Sequence, residues 1–114
     1  MKLMELREIL AETNSACYIV QRELKLPFEV DSFERSDVAE IVISFNDGPK
    51  EFKFILKIEK DEHHYARLLT LFFIPYRSTG HHKIGNLILS AGLRQEISDK
   101  MRPYLLEAVA SWRV

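Results

Sequence analysis

The chain has 114 residues and a formal net charge of −1, enough for one domain with its own core and too balanced for a global pull toward nucleic acid or an anionic membrane. With 46% hydrophobic and 29% charged residues, its composition is that of a soluble globular protein and excludes a disordered or fibrous chain. Cys17 is the only cysteine, which excludes an intrachain disulfide framework and makes a reducing, cytoplasmic setting the expectation.

The opening Met1-Lys2-Leu3-Met4-Glu5 intersperses charges among apolar residues, so no signal peptide is expected. No stretch is long and apolar enough to span a bilayer, and no membrane partner is expected. From Leu3, apolar or small residues recur at Leu6, Leu10, Thr13, Cys17, Val20 and Leu24. These three- and four-residue steps mark one amphipathic helix. Ile9, Ala16 and Ile19 widen its stripe, as suits a helix lying on a sheet. Thr13-Asn14-Ser15 are weak helix formers and good N-caps, so two shorter helices are the alternative. The residue before Pro27 disfavours helix, which places the end at about Leu24 to Leu26.

Leu26, Phe28 and Val30 alternate with Pro27, Glu29 and Asp31, a short extended segment, and Ser32 to Asp37 reads as a loop. Val38 opens the first clear strand, with Ala39, Ile41, Ile43 and Phe45 on one face. Asn46-Asp47-Gly48-Pro49 turns it into a second strand, where Phe52, Phe54, Leu56 and Ile58 alternate with Glu51, Lys53, Lys57 and Glu59. After the polar Lys60-Asp61-Glu62, a third strand runs from His64 to Tyr76 and is apolar on both sides. Leu68, Phe72 and Ile74 lie on one face, Leu69, Leu71 and Phe73 on the other. Helical spacing is also present there, but Phe72-Phe73-Ile74 is β-prone and Pro75 would interrupt a helix. Past the loop Arg77-Ser78-Thr79-Gly80, the spacing of Ile84, Leu87, Ile88 and Ala91 predicts a short helix capped by Gly92. Ile97, Met101, Leu105, Ala108 and Trp112 predict a final helix that Pro103 kinks or restarts. The expectation is therefore a single α+β domain over residues 1–114: an N-terminal helix, an antiparallel meander of three to four strands and two C-terminal helices.

No grouping names a reaction. The histidines form two pairs, His63-His64 and His81-His82, whose spacing matches no established ligand motif, and adjacent strand residues point to opposite faces, so no metal is expected. Cys17 falls on the apolar stripe of the first helix, where a thiol packs as a small hydrophobe. No serine is framed by glycines and no glycine-rich phosphate loop is present. These readings give a non-enzymatic protein without a cofactor.

Two binding surfaces are readable. The third strand needs cover on both faces. If one helical layer covers only one face, the set Leu69, Leu71 and Phe73, with Tyr76, becomes a partner site that Ile55 and Val42 extend. Either Ile97, Met101 and Trp112 bury it or another chain does, a second copy or a target protein. Alternatively Arg77, His81, His82 and Lys83 cluster at a predicted helix N-terminus, and with Arg94 and a stacking Tyr76 they form a nucleic-acid contact.

The leading helix, Leu26-Pro27-Phe28-Glu29-Val30, the strand from Ile41 ending in Phe45-Asn46-Asp47-Gly48, and the closing amphipathic helix follow an order that resembles small bacterial secretion chaperones. The resemblance covers about the first two thirds and the last helix. That family's second strand pair has no counterpart between Ile84 and Ile97. The resemblance implies a cytoplasmic dimer that binds extended segments of client proteins. The functional expectation is a protein-binding module, whether inhibitor, adaptor or chaperone, acting as a homodimer or on a partner.

Overall fold

A computed structural model describes residues 3–112, with side chains through residue 110. The first element is α1 (Leu6–Leu24). Its start is held by the Glu8 carboxylate, which accepts the Glu5 backbone N–H at 3.4 Å. Thr13 and Asn14 do not break it. The Thr13 hydroxyl donates to the Ile9 carbonyl at 2.7 Å and the Asn14 amide to the Leu10 carbonyl at 3.1 Å, so both side chains bond back along the helix. The helix stops at Lys25, which turns left-handed at φ 58° while its N–H donates to the Gln21 carbonyl at 2.7 Å. Pro27 then forbids continuation.

Five strands follow: β1 (Phe28–Glu34), β2 (Val38–Asp47), β3 (Lys50–Lys60), β4 (Ala66–Ile74) and β5 (His82–Leu87). They form one antiparallel sheet in the order β1-β2-β3-β4-β5, a meander with no crossover. The β2–β3 turn places Gly48 at φ 63°, a backbone conformation that glycine adopts without strain. The sheet is longer than the three to four strands expected, at both edges. Ser32 to Glu34, read as loop, continue β1 because each residue from Phe28 to Glu34 finds a partner on β2. The helix expected over Ile84–Ala91 is absent. His82, Lys83 and Gly85 to Leu87 pair with β4 around a bulge at Ile84, Leu87 and Leu89 are buried, and Ile88 between them is 69% exposed. That is a period of two, which the coincident three- and four-residue spacing had concealed.

The chain closes with one helix, α2 (Leu93–Trp112), not two. Pro103 lies inside it and is exposed, while Leu93, Ile97, Met101 and Leu105 are wholly buried. Proline's fixed φ is helical and its cost is one backbone bond and local crowding. Burial of Met101 and Leu105 on either side of Pro103 outweighs that cost. The two helices lie side by side and run in the same direction: the Arg94 guanidinium meets Glu12 near both N-termini at 2.9 Å, and Arg102 meets Glu23 further along both at 2.6 Å.

Both helices cover the same face of the sheet. Ile9, Ala16, Cys17 and Val20 from α1 and Ile97, Met101 and Leu105 from α2 share one core with Ile41, Ile43 and Phe45 of β2, Phe52, Phe54, Leu56 and Ile58 of β3, and Leu69, Leu71 and Phe73 of β4. The fold is thus two layers. Among the described residues, no helix is long and apolar enough to cross a membrane.

Candidate functional site

The covered face settles the parity of β4. The register pairs Phe54 with Phe73, Leu56 with Leu71 and Ile58 with Leu69. Leu69 and Leu71 are 0% exposed and Phe73 is 7% exposed. The expected partner residues Leu69, Leu71 and Phe73 are therefore core, buried by the chain's own helices, and not an open surface. Phe73 stacks on Phe54 at 4.9 Å and on Tyr104 of α2 at 5.3 Å. Of the two alternatives for that cover, the chain's own Ile97 and Met101 lie in the core. The Trp112 side chain falls outside the described residues.

The second face of β4 belongs to Leu68, Thr70, Phe72 and Ile74. One register row crosses all five strands on this side: Asp31 of β1 pairs with Val42, Val42 with Ile55, Ile55 with Phe72, and Phe72 with Lys83 of β5. From edge to edge the row reads acid, three apolar side chains, base. Ile55 is 9% exposed yet has no place in the core cluster, because the side chains beside it on the open face shelter it. Phe33 at 61% and Leu68 at 37% exposure add apolar area to the same face. The neighbouring rows are Glu29–Ser44–Lys53–Ile74 and Phe33–Glu40–Lys57–Thr70–Asn86. The ring of His81 lies 6.2 Å from that of Phe72. Acids thus gather on the β1 side and bases on the β5 side.

A second feature sits where the helix layer meets the end of the sheet. A cleft of about 670 Å³ opens between the β2–β3 turn, the segment after β4, the start of β5 and the second half of α2. Phe52, Phe73, Pro75 and Tyr104 provide apolar lining, and Lys50, Arg77 and His82 stand at it as bases. Tyr76 organises the rim. Lys50 Nζ lies 4.4 Å from its ring centroid, the Arg77 guanidinium carbon 5.2 Å, and Arg77 Nε donates to the Tyr76 hydroxyl at 3.2 Å. Arg77 itself is left-handed at φ 60°. Tyr76 and Arg77 also border a smaller hollow on the open side, with Lys53, Ile74 and His81.

The expected basic cluster is therefore only partly assembled. Arg77 and His82 share the cleft, His81 and Lys83 turn to the open face, and none stands at a helix N-terminus because residues 82–87 are a strand. Arg94 is elsewhere, held by two hydrogen bonds to Glu12 on the helix layer, and the Glu12 hydrogen bond raises its pKa above the ordinary guanidinium value. Sequence reasoning missed Lys50, Tyr104 and Glu107, which come from elements distant in the chain.

Other chemistry is distributed thinly. His63 and His64 occupy the β3–β4 turn and His81 and His82 the opposite end of β4. In that turn the Asp61 carboxylate accepts N–H groups of His63 at 2.8 Å and Tyr65 at 3.0 Å, an Asx-type closure. Among the described residues there is no group of three or more His, Cys, Asp or Glu side chains able to hold a metal ion. Cys17 is wholly buried, and desolvation pushes its thiol up to about 12, so it is not a thiolate at neutral pH. Lys60, expected in a connection, ends β3 with its side chain 3% exposed. Its ammonium donates to Glu34 at 3.1 Å and to the Arg35 carbonyl at 2.7 Å, pinning the β1–β2 turn. Comparison with protein-family models, with curated proteins and with solved structures gave no match.

Proposed function

We propose that this chain is a non-enzymatic protein-binding module of the reducing cytoplasm, and that the open face of its sheet binds a second copy of itself. The supporting observation is the row Asp31–Val42–Ile55–Phe72–Lys83, apolar in the middle and oppositely charged at its ends. A half turn about an axis along β3 lays β1 of one copy over β5 of the other. Asp31 then meets Lys83 of the second copy on both sides, Val42 meets Phe72, and Ile55 meets itself, an isologous contact with aligned sheets. Lys53 keeps its neighbour Glu51 at 3.4 Å and Lys57 lies opposite Glu40, which offsets the like charges brought together near the axis. The covered face is free of any role in this contact, so dimerisation leaves the cleft at the sheet end open.

Sedimentation velocity on the wild type and on Phe72→Glu tests the proposal. The wild type is expected as a dimer at micromolar concentration and the variant as a folded monomer. A wild type that stays monomeric across the accessible concentration range contradicts it.

A second reading draws on Lys50, Arg77 and His82 around Tyr76: a contact to single-stranded nucleic acid, by stacking and phosphate attraction. Its signature is binding of a labelled oligonucleotide that weakens steeply with salt. Absence of binding at low salt removes it.

A further inference from the structure

The meander leaves two edge strands, and they differ. β5 pairs with β4 around a bulge at Ile84, with Gly85 at φ 152° beside it, so its outer edge is short and interrupted. β1 pairs with β2 over seven consecutive residues without a register shift and contains no proline. The Arg35 N–H donates to the Val38 carbonyl at 2.8 Å and the Asn46 N–H to the Pro27 carbonyl at 3.0 Å. Those two bonds set the phase of the ladder. Glu29, Asp31 and Phe33 turn their backbone groups inward to β2, and Phe28, Val30, Ser32 and Glu34 turn theirs outward. Among the described residues, no backbone group pairs with that outer row.

The side chains bordering the row differ by side. Toward the helices, half-buried Phe28 and Val30 sit at the margin of the core, and the Tyr18 ring of α1, 56% exposed, meets Phe28 edge-on at 5.0 Å. Toward the open face lie the exposed acids Glu29 and Asp31, followed by Phe33. Two β1 edges joined antiparallel would set these acids against each other, so the edge disfavours a second copy and favours a strand of opposite charge. We infer that β1 accepts an extended segment of a partner protein as a sixth, antiparallel strand. Basic residues of that segment lie opposite Glu29 and Asp31, and apolar ones opposite Phe28 and Val30, beside Tyr18. The ladder runs in the plane of the sheet, so a second copy seated on the open face leaves it accessible. Asp31 is the residue shared by the two contacts.

Amide hydrogen exchange followed by NMR tests it with the peptide acetyl-Tyr-Thr-Lys-Val-Lys-Leu-amide, written to pair from Phe33 back to Phe28. Bound peptide should slow exchange at the outward amides of Phe28, Val30 and Ser32 and leave Glu29, Asp31 and Phe33, already bonded to β2, as they were. Replacing both lysines of the peptide by glutamate should weaken binding at least about tenfold. Methylating the valine nitrogen, whose N–H joins the ladder, should abolish binding, and methylating the nitrogen of the second lysine, whose N–H points away, should not. Ser32→Pro removes one outward N–H without touching an inward bond, so this variant should fold and bind several-fold more weakly. Glu29→Lys should weaken the lysine peptide and strengthen the glutamate one. Phe72→Glu should bind as the wild type does, which separates the edge from the open-face dimer. Exchange slowed equally at all β1 amides or at β5 instead, equal affinity for the lysine and glutamate peptides, or binding indifferent to methylation of the valine overturns the inference.

Discussion

The two faces of this sheet are made by the same five strands and differ in what they meet. On β4 they differ by a single residue step: Leu71 is 0% exposed beneath the helices, and Phe72 beside it lies half-buried on the open side. Both are large and apolar. The covered face is apolar along every central strand, and its energetics are those of a closed core. The open face has three adjacent apolar side chains along one row, with Phe33, Leu68 and Ile74 scattered around it, and its flanks are charged in a graded way from Glu29 and Asp31 on β1 to His81 and Lys83 beyond β4. A core needs continuity to exclude water. A surface that associates reversibly needs a small apolar centre and a polar rim that sets register. The difference teaches that hydrophobicity alone does not distinguish the two faces of β4, while the charges bordering each face do.

The sharpest way to break this comparison is to truncate adjacent residues on β4. Leu71→Ala should cost about 2–5 kcal/mol of folding stability, because it leaves a cavity among fully packed neighbours. Chemical denaturation measures this as a lowered midpoint with an unchanged slope. Phe72→Ala should cost markedly less in the monomer and act chiefly on association. Equal losses from the two would erase the distinction between the faces.

Lys60→Ala comes next, at roughly 1–3 kcal/mol, since it strips the Arg35 carbonyl and Glu34 of a sheltered ammonium. Loss of protection in amide exchange should begin at the β1–β2 turn, and a uniform loss over the whole sheet would argue against local pinning.

Cys17 tests the covered face by pH. Its folded-state pKa, about 12, lies above the unfolded value near 8.5, so its contribution is complete below about pH 8.5 and is lost as pH rises toward about 12. The slope approaches about 1.4 kcal/mol per pH unit within that window. Cys17→Ala should flatten the alkaline limb of a stability profile. An unchanged limb would mean that the thiol reaches solvent in the native state.

The smallest effect concerns the helix surface. Asp99 is held below the ordinary carboxylate range first by its hydrogen bond from Arg102 and then by that from Gln95. Its contribution is present above the unfolded pKa and fades as pH falls through the folded one. Asp99→Asn should lower the melting temperature slightly at neutral pH and not at all in strong acid. A larger effect in acid would contradict the pairing.

Much of the fold was legible because its central strands obey a strict alternation. Phe52, Phe54, Leu56 and Ile58 against Glu51, Lys53, Lys57 and Glu59 mark the covered face of β3 by alternation alone. Ile55 and Val42, expected to extend the Leu69, Leu71 and Phe73 set, lie instead in one row with Phe72 on the opposite face. Parity on β4 was not legible, because both of its residue sets are apolar and the ladder shifts register between Glu59 and Lys60. The one-residue choice depended on pairing, which sequence spacing does not record. β5 was hidden because Ile84, Leu87, Ile88 and Ala91 fit a helix as well as a strand, and Gly85 at φ 152° suits the edge it occupies. The cleft was half visible. Tyr76, Arg77 and His82 are close in sequence, but Lys50 and Tyr104 reach them only through the fold.

Charge exchange across the open face tests the central claim most directly. Asp31→Lys and Lys83→Asp should each shift sedimentation toward monomer, the double variant should regain the dimer, and an equal mixture of the two single variants should form a heterodimer. That restoration requires Asp31 of one copy to face Lys83 of the other. Single variants that remain dimeric, or a double variant that remains monomeric, would contradict the account.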